Sequence, residues 1–552
     1  MSIASAIIAR RMALVRAQTH DLVCERDLRV GMQDGTVLLA DRWVARAVRD
    51  RAGPTVVVRS PYGRRQVIGL MLGRLLAERG LQVVIQSVRG TFGSGGRFSP
   101  FDERSDGLAT LTWIRQQPWH AGRIGMIGPS YLGLVQWALA PDGGDDLAAM
   151  SVQVSASQFH GQSWGGGSLS LETAASWLVL VAAQERRLAP LAIARALRGL
   201  PALMSALPLA GIDQRATGAQ VQWWREALAN PGRASPYWVV RDFAAGVTKV
   251  TARVQLVGGW YDIFLPWMLQ DFSALQAVGR APQLVIGPWS HIAPGLMAAG
   301  LREGIAWLRD CLLDDDRLLS RVPVRVYVTG ERAARHWREL VSWPPPGVAE
   351  WRLWLAARRR LEDQEPTDGV PAGGDRFRYD PVDPTPSVGG PVLLVREPVV
   401  DNRALEARAD VLTYSTEPLS SPLEAIGPVS VELWVRAGSP YFDVFARLCD
   451  VDPTGASWNV CDALSRVAPG RLRQAVDGTW RVAFELWPIA HRFAAGHRIR
   501  LQVSGGAHPR YARNPGTGEA PATATSLRAV DLEVLHGAQY PSALVLPRVP
   551  GC

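Results

Sequence analysis

The feature that most constrains the fold is an alternation of short, continuously apolar runs with segments of helical spacing. In the first part of the chain the apolar runs predict strands at 55–62, 81–90, 122–129 and 147–157. The intervening helical patterns lie at 68–80, 105–117 and 132–140. Strands that are apolar throughout, and separated by helices, are typical of a parallel sheet covered on both faces. The sequence therefore predicts an α/β domain.

This alternation is interrupted once and then replaced. From 158 to 245 the pattern is helical, with no convincing strand, before apolar strands resume at 252–262 and 282–291. From about 350 onward, short alternating segments are divided by Pro, Gly and Asp; examples are 411–416, 429–437, 442–452 and 497–505. That spacing is typical of an all-β sandwich. A chain of 552 residues is expected to hold two or three domains.

Composition excludes several classes of protein. Hydrophobic residues make up 47% and charged residues 20%, as in soluble globular proteins. No apolar run approaches the ~20 residues that a membrane crossing needs. At the N-terminus the apolar run precedes the arginines, the reverse of a secretory signal, so we expect a cytoplasmic protein. The net charge of +9 comes from scattered arginines, with Lys249 the single lysine, and no nucleic-acid-binding motif accompanies them.

The cysteines give no sign of a disulfide framework or a metal site. They are odd in number and widely spaced: Cys24, Cys311, Cys449, Cys461 and Cys552. Such usage favours a reducing compartment. No cysteine pair or histidine pair has metal-ligand spacing, so we expect no metal.

The stretch "GRIGMIGPSYLGLVQWALA", residues 122–140, places one serine between an apolar strand and an apolar helix. Gly128 precedes Ser130 by two positions, but Leu132 stands where the generic nucleophile elbow, G-x-S-x-G, has its second glycine. Gly133 comes one residue later. The pattern leaves two interpretations open: an ordinary strand-to-helix turn, or a serine held out to react.

Two further strand ends carry the residues that a nucleophilic serine needs. Asp262 ends the strand at 252–262, and His291 follows the strand at 282–291. Taken alone, each has an ordinary explanation as a helix cap or a polar contact. Together with Ser130 they stand in the order Ser, Asp, His, each at the edge of the sheet where α/β proteins bind ligands. A serine hydroxyl needs such a base and orienting acid. The pattern predicts a Ser130–His291–Asp262 triad.

Four separated motifs carry a family resemblance: "VRGTFGSGG" at 88–96, "GPSYLG" at 128–133, "GGWYD" at 258–262 and "GPWSH" at 287–291. The similarity continues through "DVLTYST", "GPVSVELWV" and "FAAGHRIRLQVS". The chain resembles the cocaine-esterase-like serine hydrolases, which belong with the X-Pro dipeptidyl-peptidase group. The resemblance implies an α/β-hydrolase fold with an inserted helical cap and a C-terminal all-β jelly-roll domain.

Combined with the segment pattern, this predicts four parts. The α/β-hydrolase domain is expected at 20–157 and 246–348, the helical cap at 158–245 and the jelly-roll β-sandwich at 349–552. The expected partner is a small-molecule ester, with no nucleic acid and no membrane. A homodimer is kept as an alternative to a monomer.

The resemblance also assigns roles at the site. It implies that the hydroxyl of Tyr62, in the turn "RSPYGRR", and the backbone N–H of Tyr131 form the oxyanion hole. A triad mechanism of this kind requires no metal and no organic cofactor. Aromatic candidates for an apolar acyl pocket are Trp164, Trp177, Trp260 and Phe264, although tryptophans of the cap are more often core residues. Phe264 matches a pocket aromatic of the family because it closely follows the predicted acid.

The charges of the predicted cap favour one substrate class. Its acidic residues are dispersed, and arginines such as Arg186, Arg187, Arg195 and Arg198 are more numerous; the acids are Glu172, Glu185, Asp213, Glu226 and Asp242. Burying an unpaired ammonium group is unfavourable. We expect neutral apolar or aromatic acyl esters. The alternatives are an α-amino-acid ester hydrolase, an X-Pro dipeptidyl-aminopeptidase-like acylase or peptidase, and a non-catalytic binding protein with a vestigial triad.

Overall fold

The computed structural model of the protein describes residues 3–318, 322–330, 336–368, 372–395 and 397–550. Its contacts divide the chain into two compact units. The first unit comprises the chain up to Phe159 together with Ala234–Gly259 and Phe264–Arg325. The second comprises His160–Arg233, Trp260–Ile263 and the chain from Val326 onward.

The helices run as follows in chain order: α1 Ile3–Arg11, α2 Gln66–Ile68, α3 Leu75–Ala77, α4 Arg104–Arg115, α5 Tyr131–Leu139, α6 His160–Ser163, α7 Leu171–Ala183, α8 Ala189–Met204, α9 Ile212–Thr217, α10 Gln222–Ala229, α11 Pro236–Val239, α12 Leu265–Ala277, α13 Pro294–Leu313 and α14 Arg403–Glu406. A π-helical stretch, Gly69–Arg74, joins α2 to α3. Short 3₁₀ helices lie at Arg46–Val48, Ala140–Asp142, Gly165–Gly167, Leu209–Gly211, Ala244–Lys249, Asp316–Leu318 and Ala357–Arg359.

The strands of the first part of the chain are β1 Leu22–Gly31, β2 Val37–Ala45, β3 Gly53–Ser60, β4 Gln82–Ser87, β5 His120–Pro129, β6 Leu147–Gln153, β7 Arg253–Tyr261, β8 Gln283–Ser290, β9 Val324–Tyr327, β10 Thr329–Gly330 and β11 Trp337–Leu340. Those of the C-terminal part are β12 Ala349–Ala356, β13 Arg360–Glu362, β14 Gly373–Tyr379, β15 Val411–Ser415, β16 Leu423–Gly427, β17 Ser430–Ala437, β18 Phe442–Val451, β19 Ser457–Val467, β20 Trp480–Glu485, β21 Ile489–Phe493, β22 Arg498–Ser504, β23 Val530–His536 and β24 Ala543–Arg548.

The sheet of the first unit runs in the order β1-β2-β4-β3-β5-β6-β7-β8. β1, β2 and β4 pair antiparallel, whereas β4, β3, β5, β6 and β7 pair parallel. In the centre, Val57 of β3 stands opposite Val84 of β4 and Met126 of β5, all fully buried. The continuously apolar strands are therefore the buried parallel core that their composition predicts.

Helix α13 packs closely on this sheet through two glycines. A side chain at Gly304 would overlap Ile127, and one at Gly300 would crowd Gln153. The amide of Gln153 instead donates to the carbonyl of Gly300 at 2.8 Å. This contact fixes the end of β6, which lies beside the end of β5.

The second unit contains a curled sheet and helices α6 to α10 of the insert. The sheet runs β10-β21-β16-β24-β12-β13-β15-β22-β18-β19, with β14, β17, β20 and β23 paired beside it. The segment His160–Arg233 packs on this β domain: the Ser168 hydroxyl donates to the Ala512 carbonyl at 3.0 Å. Glu172 of α7 accepts from the Leu393 N–H at 3.0 Å.

The fold is thus an α/β hydrolase with helices inserted between β6 and β7 and an all-β jelly-roll domain at the C-terminus, as expected. The boundaries at 158, 246 and 349 remain predictions. The cysteines at 24, 311, 449 and 461 carry free thiols. Within the described ranges, each helix is too short or too polar to traverse a bilayer.

Candidate active site

Ser130 occupies a strained turn between β5 and α5. Its φ of +58° and ψ of −124° lie in a region that non-glycine residues rarely adopt. The turn is held from both sides: the Ser130 N–H donates to the Gln153 carbonyl at 2.8 Å, and the Ser130 carbonyl accepts from the Gly133 N–H at 2.8 Å. The side chain is partly exposed, whereas the preceding apolar strand is buried. This is the backbone geometry of a nucleophile elbow.

The packing around the turn explains the departure from G-x-S-x-G. A side chain at Gly128 would overlap the Cβ of Leu132, so the first glycine is required by the leucine itself. A side chain at Gly133 would overlap Ser155. The second glycine is therefore needed one position later than in the generic pattern, where α5 passes the residues that follow β6.

The two predicted oxyanion-hole residues are Tyr131, which follows Ser130 in the chain, and Tyr62, which follows the strand next to β5. Tyr131 is the first residue of α5, and the N–H groups at a helix N-terminus favour negative charge. Tyr62 comes two residues after β3, the parallel neighbour of β5. Its own N–H donates to the Ser60 hydroxyl at 3.0 Å, and its side chain is half-buried.

His291 directly follows β8 and lies beside an aromatic cluster. Its ring centroid is 5.8 Å from that of Phe264, and the Phe264 ring is 4.3 Å from that of Phe159. Asp262 directly follows β7 and is fully buried. It belongs to the short segment Trp260–Ile263, which is grouped with the second unit. The triad itself remains a prediction.

The three predicted pocket tryptophans lie in the second unit. Trp260 has a clear structural contact, because its indole N–H donates to the Tyr327 carbonyl at 2.6 Å and its ring packs on Trp343 at 5.5 Å. Trp177 is half-buried and packs on Trp223 at 5.1 Å. Trp164 is buried. Their roles in a pocket remain predictions.

Sequence reasoning missed part of the aromatic cluster next to His291. Phe101 packs edge-on against Phe159 at 5.1 Å and stacks with Trp238 at 6.2 Å. Phe101 has a φ of +70°, unusual for a bulky residue. Its position after "FSP" could have marked a turn, but no pattern indicates that its ring reaches Phe159.

A buried acid stands behind the same cluster. Asp271 of α12 accepts from the Ser157 N–H at 2.7 Å and from the Ser157 hydroxyl at 2.5 Å. Burial, which disfavours the charged form, raises the pKa of Asp271 to about 7. The two bonds tie the loop after β6, which carries Phe159, to the helix that follows Phe264.

Comparison with known proteins gives consistent matches along the chain. Residues 34–293 match the family of X-Pro dipeptidyl-peptidases (S15 family), and residues 320–545 match the non-catalytic C-terminal domain of the same enzymes. Cocaine esterase of Rhodococcus sp. (strain MB1 Bresler) is 30% identical, over 94% of this chain and 97% of its own length. The chain belongs to the cocaine-esterase-like family of serine hydrolases. It is a carboxylic ester hydrolase.

Solved structures agree with the family in fold. An α-amino acid ester hydrolase superposes with a TM-score of 0.80 at 22% identity, covering 97% of this chain and 98% of the other. An aminopeptidase from the marine sediment archaeon Thaumarchaeota archaeon gives a TM-score of 0.78 at 21% identity, covering 95% and 96%. At these identities the likeness concerns architecture, which the cocaine-esterase-like family shares with enzymes acting on other substrates.

Proposed function

We propose that the chain hydrolyses neutral apolar or aromatic acyl esters through an acyl-enzyme formed on Ser130. The observation that carries the proposal is the strained backbone of Ser130, at a φ of +58° directly before α5. Such strain persists only where the surrounding packing enforces it, and it is found at functional sites. Family membership also supports ester hydrolysis, because the Rhodococcus relative is named an esterase.

In the proposed mechanism, His291 takes the proton of the Ser130 hydroxyl as the oxygen attacks the ester carbonyl carbon. Asp262 holds the imidazole in one tautomer and stabilises its protonated form. The hydroxyl of Tyr62 and the N–H of Tyr131 donate to the oxyanion of the tetrahedral intermediate. His291 then protonates the departing alkoxide. Water repeats the sequence on the acyl-enzyme and releases the acid.

The preference for an apolar or aromatic acyl group is supported by the side chains beside His291. Phe264 and Phe159 are buried, and Phe101 and Trp238 extend the same cluster. Aromatic rings pair favourably with one another in edge-to-face or offset arrangements. An aromatic acyl group would therefore find partners next to the proposed base.

The acids of the helical segment support a neutral substrate, because several already serve local contacts. Asp213 pairs with Arg225 at 2.8 Å. Glu172 accepts from the Leu393 N–H and from the Ser176 hydroxyl. Asp242 accepts from the Ala244 N–H at 3.1 Å. A carboxylate engaged in this way offers little to a substrate ammonium group.

The test compares two substrates that differ only by the α-ammonium group: the 4-nitrophenyl esters of phenylacetic acid and of phenylglycine. We expect kcat/KM to be about tenfold or more higher for the neutral ester, which corresponds to about 1.4 kcal/mol. A preference for the amino ester would overturn the proposed substrate class.

The nucleophile is tested separately by Ser130→Ala and by labelling with a fluorophosphonate. The variant should lose both turnover and labelling while keeping its melting temperature. Ser176→Ala, which removes a hydroxyl of α7 bonded to Glu172, is the control and should keep both. Comparable ester hydrolysis by Ser130→Ala would refute the assignment of Ser130.

A further inference from the structure

A buried chain of three polar side chains lies behind the proposed oxyanion hole. The hydroxyl of Tyr131 donates to Oε1 of Glu103 at 2.6 Å, and the other carboxylate oxygen of Glu103 pairs with Nη1 of Arg59 at 2.9 Å. All three side chains are almost completely inaccessible to solvent. Buried charges of this kind are tolerated only when they are paired and hydrogen-bonded.

The three residues lie at or next to the ends of β3, α4 and α5. Arg59 is the penultimate residue of β3, the strand that leads to Tyr62. Glu103 directly precedes α4, and Tyr131 is the first residue of α5, next to Ser130. The chain of contacts thus runs from β3, which ends two residues before Tyr62, to Tyr131, whose N–H is the other proposed oxyanion donor.

Glu103 is held at both its side chain and its backbone. Nη1 of Arg59 also donates to the Glu103 carbonyl at 3.0 Å, and Nε of Arg59 donates to Gln86 of β4 at 2.8 Å. A side chain at Gly107, one turn into α4, would overlap Leu139 and would also stand 3.3 Å from Nη1 of Arg59, so the glycine allows α4 to pack closely here. The carboxylate therefore has little freedom to follow Tyr131 if the tyrosine moves.

Tyr131 is fixed at its two ends. Its backbone continues from the strained turn at Ser130, and its hydroxyl accepts from the Phe101 N–H at 3.0 Å while donating to Glu103. Burial and the neighbouring Glu103 raise the pKa of the Tyr131 hydroxyl well above its usual value. The tyrosine accordingly keeps its proton.

We infer that Arg59, Glu103 and Tyr131 form a positioning network that sets the separation between the Tyr62 hydroxyl and the Tyr131 N–H. The inference rests on the proposed function, in which these two groups stabilise the oxyanion. Stabilisation of a developing charge depends steeply on donor placement, and a shift of about 1 Å can reduce turnover by about 10²-fold. Tyr131 is a positioning residue through its side chain.

The experiment is Tyr131→Phe, which removes only the hydroxyl. We expect kcat for the neutral ester to fall by about tenfold or more, with KM nearly unchanged, because the misplacement affects mainly the transition state. Phenylboronic acid forms a tetrahedral adduct with an active serine. Its inhibition constant should rise by the same factor by which kcat/KM falls.

Tyr414→Phe is the matched control. Tyr414 is fully buried in the second unit, and its hydroxyl donates to Asp375 at 3.0 Å. This variant also removes the hydroxyl of a buried tyrosine from a bond to a carboxylate, here a half-buried one, and should lower the melting temperature. Its kcat and its boronic acid inhibition should stay within about twofold of the unmodified chain.

The outcomes separate the network from the proposed function. An unmodified chain that phenylboronic acid does not inhibit would contradict the proposed function. If the unmodified chain is inhibited but Tyr131→Phe keeps both kcat/KM and the inhibition constant, the network proposal alone is wrong. Should Tyr131→Phe fail to fold, Glu103→Gln supplies the second test. Its kcat/KM and boronic acid affinity should fall by one common factor, and unchanged values would overturn the inference.

Discussion

Tyr62 is the residue that distinguishes the proposed oxyanion hole from one built of backbone N–H groups alone. We expect Tyr62→Phe to lower kcat by about 10² to 10³, the usual loss for one oxyanion donor, with little change in KM. Steady-state kinetics on the neutral ester measures both. A Tyr62 with only a packing role would instead give a lower melting temperature and normal kcat. Tyr414→Phe again controls for the loss of a phenol.

We expect the buried Asp271 to make the free energy of unfolding fall as pH rises, the opposite of what a paired surface carboxylate does. Its pKa is raised to about 7, so the folded state keeps a proton that the unfolded chain releases near the ordinary value of 3.8. Stability from this proton is therefore present at low pH and is lost as pH rises through about 7.

Asp271→Asn replaces the titrating group by an amide that can still accept from the Ser157 N–H and donate to its hydroxyl oxygen. Relative to the unmodified chain, the variant should gain roughly 1 kcal/mol of unfolding free energy between about pH 6 and pH 8. Urea titrations at the two pH values measure this change. The exposed Asp363→Asn is the control, and a difference for Asp271→Asn that does not vary with pH would contradict the prediction.

At the scale of single residues, the sequence indicates candidate catalytic residues where they stand at the end of an apolar strand. Ser130, Asp262 and His291 could be selected because apolar strands stop at them. Glu103 could not, because a single glutamate beside Ser105 and Asp106 resembles an ordinary helix start. Its partner lies 28 positions away in the chain, and only the folded structure brings the two side chains together.

Among the elements, the turn between β5 and α5 depends on Gly128 and Leu132 together. Gly128→Ala would force the new methyl group against the Cβ of Leu132. We expect the single variant to lose roughly 1–3 kcal/mol of stability and most of its activity. Leu132→Gly removes the obstructing atom but has its own packing cost, because Leu132 is buried in α5. Gly128→Ala should therefore cost less stability when added to Leu132→Gly than when added to the unmodified chain.

Gly199→Ala, in α8, is the control for this pair, because nothing lies within 4 Å of the added methyl group. It should leave activity unchanged and raise stability by about 0.5–1 kcal/mol. Thermal unfolding and ester turnover of the unmodified chain, Gly128→Ala, Leu132→Gly and the double variant measure the coupling. If Gly128→Ala costs as much stability in the Leu132→Gly background as in the unmodified chain, Leu132 is not the obstacle.

Element positions follow the hydrophobic pattern where strands are buried on both faces. The predicted strand at 282–291 is observed at Gln283–Ser290, and the helix at 105–117 is observed at Arg104–Arg115. The sequence pattern does not indicate the strands β1 and β2. β1, "LVCERDLRVG", is an edge strand with several charged, exposed positions, so it lacks the continuous apolar run of the central strands.

At the scale of the whole molecule, the sequence does not indicate which domain the helical insert packs against. Periodicity locates helices between β6 and β7 but does not say on which surface they pack. The structure groups His160–Arg233 with the β domain. The pattern of an amphipathic helix shows that one face is buried but not against which partner, because any apolar surface of suitable shape can cover that face.

The contact between the insert and the β domain can be tested at adjacent glycines. Gly166 has a φ of +60°, and a side chain there would overlap the Leu464 carbonyl of β19, whereas one at Gly165 would meet nothing within 4 Å. We expect Gly166→Ala to lower the unfolding free energy by roughly 1–3 kcal/mol, through both backbone strain and displacement of the turn from β19. Gly165→Ala should stay within about 0.5 kcal/mol of the unmodified chain. Equilibrium unfolding in urea compares the two variants. Equal stabilities would show that the turn moves off β19 without consequence, and the insert would then not depend on the β domain for its stability.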